Sequence, residues 1–110
     1  MSIDIFSTNV QHTICFDSYE MRMSHWIDQP SLIRVSDGAC LFSINTDDWS
    51  AWEVRWLDES TVTLVLRKYP GLLDCTLQLN VATCEGQAVS RRASIAGSFS
   101  AVRDWVLSLS

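Results

Sequence analysis

The sequence predicts an α+β fold: an antiparallel β-meander of about six to seven strands with one C-terminal α-helix packed on one face. Three observations carry this. Across Trp49–Gly71, Trp52, Val54 and Trp56 alternate with Glu53 and Arg55, and Val62, Leu64 and Leu66 alternate with Thr61, Thr63 and Arg67 around Asp58-Glu59-Ser60. Side chains two apart share a face of a strand, so this is a hairpin with one aromatic and aliphatic face. Across Asp74–Val81, Cys75, Leu77, Leu79 and Val81 alternate with Asp74, Thr76, Gln78 and Asn80. In the tail, Phe99, Val102, Val106 and Leu109 fall at helical spacing, with Trp105 beside them.

The elements follow in order. Residues 1–11 are a polar lead-in with a short strand at Ile3–Phe6. In 12–23, Ile14 and Phe16 share one phase and Tyr19, Met21 and Met23 the other, so a bulge is expected at Asp17-Ser18. Residues 24–31 read as a loop stopped by Pro30. Strands Leu32–Ser36 and Ala39–Ile44 flank Asp37-Gly38, a two-residue turn signal in which both positions take positive φ. Residues 45–51 read as a loop, and Tyr69-Pro70-Gly71 as a turn. A short strand Cys84–Val89, a polar connector over 90–97 and a helix capped by Ser98 complete the chain.

With 110 residues, residues 1–110 make one globular domain able to bury a single core. The formal charge is −5, unevenly spread: residues 1–60 hold ten acids against three bases, and residues 61–110 three acids against five bases. Such a surface repels phosphate backbones, which argues against nucleic acid and for a basic protein partner. Cys15, Cys40, Cys75 and Cys84 form no C-x-x-C pair and fit no zinc spacing, and all four sit in apolar strand-like runs. Cys40 and Cys75 are expected to point inward. The start lacks a basic and apolar leader, and no run is long enough for a bilayer. The expectation is a cytoplasmic protein with reduced thiols, no membrane association and no cofactor.

In a meander, successive connections alternate between two ends. The turns at Asp37-Gly38, Asp58-Glu59 and Ala82-Thr83 should share one end, and the loops 24–31, 45–51 and 68–73 the other. The second end would gather His25, Trp26, Asp28, Asp47, Asp48, Trp49, Lys68 and Tyr69. Loops on a rigid scaffold carry binding groups. Trp26, Asp28, Asp47, Asp48, Trp49 and Tyr69 are therefore the expected partner-binding residues, with the tryptophans as anchors and the acids as counterions.

Catalytic readings are poorer. Asp47-Asp48 lacks the further oxygen ligands a divalent cation needs, and a turn cap beside a solvated acid is the simpler account. His25 with Asp28 or Asp47 could move a proton, but no serine or cysteine sits in a nucleophile signature. His12, Cys15 and Asp17 lie on one strand at odd and even spacings and do not all share a face. Arg91-Arg92-Ala93-Ser94 matches a basic-directed phosphorylation pattern of a length that arises often by chance. The alternative function is a small-ligand-binding, even catalytic, β-protein with a pocket between sheet and helix lined by Trp52, Trp56 and Trp105.

The pattern SHW…P-x-L…DG…W…WLD…LRKYPG resembles small acidic bacterial β-sheet proteins that serve as immunity partners of polymorphic or contact-dependent toxins. The resemblance is one of size, charge and strand-turn layout over residues 12–110, and transfers no residue role. It implies a non-enzymatic inhibitor that docks on a toxin through an acidic, aromatic loop surface. A second copy sealing an exposed strand edge is compatible with either function.

Overall fold

The meander forms, but it breaks in two. The computed structural model describes residues 4–21, 25–44, 49–68, 74–91 and 93–109, with the side chains of 17–21 and 25–28 outside the description. Among the described residues the chain makes nine strands and one helix. They are β1 (Ile5–Phe6), β2 (His12–Met21), β3 (His25–Arg34), β4 (Ala39–Ser43), β5 (Trp49–Trp56), β6 (Thr61–Lys68), β7 (Asp74–Asn80), β8 (Glu85–Val89), β9 (Ser94–Ser98) and α1 (Phe99–Ser108). Strands β1 to β4 form one sheet and β5 to β9 a second, each in sequence order and antiparallel throughout.

The single sheet expected from sequence is thus two stacked meanders. β5 does not pair beside β4; it lies against β3 and pairs with β6. Each sheet has one apolar face, and stacking buries Ile14, Leu32, Phe42 and Ile44 with Trp49, Val62, Leu64, Leu66, Leu77 and Leu79 in one core. A flat nine-strand sheet would have only a ten-residue helix to cover it. Here α1 covers what the first sheet leaves of the second, contributing Phe99, Val102 and Val106. The rings of Phe42 and Phe99 meet edge to face at 5.9 Å.

The helix begins where expected. Ser98 caps it, its Oγ accepting the Ala101 N–H at 3.2 Å. Two long side chains tie it down: Arg103 Nε donates to Ser43 O at 3.0 Å, and Lys68 Nζ donates to Leu109 O at 2.7 Å. No described helix is long and apolar enough to cross a membrane.

Several local expectations are corrected. Residues 25–34 are strand, not loop, paired with β2 from His12↔Arg34 to Met21↔His25 without a shift, so no bulge stands at Asp17-Ser18. Pro30 is tolerated because β3 pairs with β4 only from Ser31 onward; at Pro30 it is an edge. The Pro30 carbonyl is used instead, accepting Ile44 N–H at 3.1 Å. The bulges fall elsewhere, between Leu32 and Ile33 against β4, and between Ala51 and Glu53 on β5. The β3–β4 turn spans four residues rather than two, since the strand ends at Arg34, and only Gly38 takes positive φ, at 71°. Residues 94–97 of the expected connector belong to a strand, β9, which runs on to Ser98.

The cysteines are free, but only Cys75 is buried; Cys40 and Cys84 are exposed, and Cys84 sits in a turn at φ 55°. Burial pushes the Cys75 thiol up to about 11. Alkylation of the native protein at pH 8 should therefore modify Cys40 and Cys84 and leave Cys75 unmodified until denaturant is added. Mass spectrometry of labelled peptides checks this, and rapid native labelling of Cys75 would contradict its burial.

Candidate functional site

Both ends of the molecule bear on the expected partner surface. At one end β5 starts opposite the end of β6, with Trp49 facing Lys68 across the ladder. Trp49 is not exposed: it is 1% accessible and belongs to the core, with the Lys68 ammonium 5.9 Å from its ring. Trp26 and Asp28 stand on β3, opposite Glu20 and Ser18, rather than in a loop. The side chains of His25, Trp26 and Asp28, and all of Asp47, Asp48 and Tyr69, lie outside the described residues.

The tryptophan-lined pocket does not assemble as expected. The bulge on β5 inserts Trp52 as an extra residue, which reverses its side and leaves it 67% exposed. It lies on the outer face of the second sheet, with the Arg67 guanidinium 4.4 Å from its ring. Trp56 stays on the inner side and donates Nε1–H to Ile5 O at 2.9 Å, tying β5 to β1. Trp105 packs on the core from the helix. Three tryptophans that sequence places together thus go to three places.

At the opposite end the chain makes its tight turns; within each sheet they are hydrogen-bonded to one another, and the Trp56 Nε1–H bond to Ile5 O brings the two sheets' turns together. Val35 N–H donates to Gln11 O at 2.9 Å, and Val81 N–H to Ser60 O at 2.8 Å. Side chains close each turn. Asp58 Oδ1 accepts the N–H groups of Ser60 and Thr61 at 2.8 and 2.9 Å. Asn80 Oδ1 accepts Ala82 N–H at 2.9 Å, and Asp37 Oδ1 accepts Ala39 N–H at 3.1 Å. Asp37 also takes two bonds from Arg34, at 3.0 and 2.7 Å, which holds its carboxyl down at about 2.

This hydrogen-bonded end carries most of the exposed apolar groups among the described residues. Of the six large apolar side chains exposed among the described residues, four are here: Phe6, Val10, Val35 and Leu57. Val10 and Val35 line a shallow concavity of about 350 Å³ together with Gln11, His12 and Arg34. Val10 also carries φ 60°, a left-handed conformation that a β-branched residue adopts at a cost of about 1–2 kcal/mol. Nδ1 of His12 and Oγ1 of Thr13 are buried without a partner, and burial, then Arg34, lowers the His12 pKa. Over 4–11, 34–38, 55–60 and 81–85, five acids (Asp4, Asp37, Asp58, Glu59, Glu85) stand against Arg34 and Arg55.

Sequence reading missed this end because apolar residues there sit singly beside turn formers. Val10 lies between Asn9 and Gln11, Val35 precedes Ser36-Asp37, and Leu57 precedes Asp58-Glu59. An apolar residue stranded at a turn was the available signal. Among the described residues no group of three or more His, Cys, Asp or Glu side chains is placed to hold a metal. The chain matches no family model, no curated protein and no solved structure.

Proposed function

We propose that this chain is a non-enzymatic protein-binding module, most concretely a toxin-neutralising immunity protein that covers a basic surface of a secreted toxin. One observation supports the reading: exposed Val10, Val35 and Leu57 on hydrogen-bonded turns, with exposed Phe6 at the end of β1, within segments where acids outnumber bases five to two. An apolar centre with a charged rim is the anatomy of a protein interface, and its sign selects a cationic partner and speeds encounter. Val10 adds to this, because a strained, exposed valine serves the fold poorly and an apolar contact well.

The test uses the toxin domain encoded next to this gene, if the neighbouring gene encodes a secreted protein with a variable C-terminal domain. Phe6→Ala and Leu57→Ala should each weaken binding by roughly tenfold. Val10→Asn should weaken it while leaving stability unchanged or raised by up to about 1 kcal/mol. Glu59→Lys with Asp4→Lys should slow association at low salt and have little effect at high salt. Asp47→Lys with Asp48→Lys probes the other end: slowed association there, with Phe6→Ala and Leu57→Ala silent, moves the interface to the Trp26, Asp28, Asp47, Asp48 and Tyr69 rim. No binding by the neighbour's domain, or binding indifferent to all of these changes, ends the proposal.

A further inference from the structure

The edges of the two sheets are not treated alike. β1 is only two residues long. The last carbonyl of β4, at Ser43, accepts from Arg103, and the following Ile44 N–H bonds back to Pro30. β5 is kinked by its bulge at Trp52 and carries Glu53 and Arg55. Short length, bulges, charges and covering groups are the devices that keep an edge from pairing with another chain.

β9 has none of them. It pairs with β8 in unbroken register from Glu85↔Ser98 to Val89↔Ser94, and among the described residues no strand pairs on its other side. Its sequence, Ser94-Ile95-Ala96-Gly97-Ser98, holds no proline and no charge, and residues 93–102 carry no charge at all in a chain of net −5. Two acidic copies repel each other least where neither carries charge.

We propose that β9 is a self-pairing edge: two copies of this chain join β9 to β9 antiparallel about a two-fold axis, making one ten-stranded sheet from two of five. Centred on Ala96, the pairing sets Ser94 opposite Ser98 and Ile95 opposite Gly97 of the other copy. Residues directly opposite share a face, so the one bulky side chain of the strand meets the one residue without a side chain. On the outer face only Ser94, Ala96 and Ser98 meet, all small and all exposed in the single chain. The helix leaves β9 at Ser98 and packs against β9, β8 and β4, with Phe99, Val102 and Val106 buried, while Ser94, Ala96 and Ser98 of β9 stay exposed. Pairing over five residues covers less than a permanent dimer buries, so the association is concentration-dependent. It is independent of the toxin-binding reading, which uses the turn end.

Sedimentation velocity over a concentration series tests it, with hydrogen exchange on the wild-type chain as a readout that needs no variant. A reversible monomer–dimer equilibrium is expected, with protection of the 94–98 amides rising with concentration. Ser94→Lys with Ala96→Lys puts like charges across the axis in any register, and should weaken dimerisation by at least about tenfold. Gly97→Val fills the notch for Ile95 and should weaken it too; within the monomer, a Cβ at Gly97 meets only Ala101 Cβ, at 3.6 Å. Gln87→Lys, on the outer face but one strand inside the edge, should leave it intact. A chain monomeric up to about 1 mM, concentration-independent protection of β9, or a dimer indifferent to the double lysine change would each overturn the proposal.

Discussion

Trp49→Ala should destabilise the fold by about 3–5 kcal/mol, the loss expected for truncating a large buried aromatic. Trp49 is among the largest fully buried side chains of the described residues, and it opens β5 where the second sheet stacks on the first. Total stabilities of single domains run to about 5–15 kcal/mol, so this one change could consume much of the reserve. Trp52→Ala is the matched control. Trp52 is 67% exposed and its one described partner is Arg67 through a cation–π contact, worth about 0.5–1 kcal/mol at an exposed site. Urea titrations of the two variants decide the matter. Equal losses would mean that the bulge between Ala51 and Glu53 does not separate the two tryptophans as described.

Gly86→Ala should cost about 1–3 kcal/mol through overpacking. Gly86 pairs with Leu79 in the β7–β8 ladder, and an added Cβ would stand 2.8 Å from Leu79 Cδ2 and 2.9 Å from Gln78 O. Leu79 is fully buried and the second atom is backbone, so neither gives way cheaply. The sign is the informative part. At a site that tolerates alanine, replacing glycine stabilises by about 0.4–1 kcal/mol, because the unfolded chain loses freedom. Gly97→Ala meets that condition, with its nearest neighbour at ordinary van der Waals distance, and should be neutral or stabilising in the monomer. Thermal melts showing both variants stabilised would contradict the close approach of β8 to β7.

The candidate surface is legible in part in the sequence. The acidic character of the first sixty residues and the grouping of turns at one end follow from composition and from alternation of strand direction; the Val81–Ser60 bond joins two of those turns, and the Trp56–Ile5 bond brings the second sheet's turn end to the first. Trp49 looked exposed because Asn45-Thr46-Asp47-Asp48 precedes it, yet the strand starts at Trp49 itself and carries it into the core. Phe6, Val10, Val35 and Leu57 each stand alone in their segments; Val10 and Val35 come to line one concavity only when their two turns are brought together.

Local chemistry sufficed for much of the chain. Period-two runs dictated β6 and β7, since any other conformation would expose Val62, Leu64, Leu66, Leu77 and Leu79, and the Ser98 cap with Phe99, Val102 and Val106 dictated the helix. The partition into two sheets, the bulge that turned Trp52 outward and the pairing that made residues 25–34 a strand were decided by tertiary contact. Their physical reason is common to all three: a strand's own sequence says which of its faces is apolar, but which neighbour covers that face, and in what register, depends on residues far away in the chain.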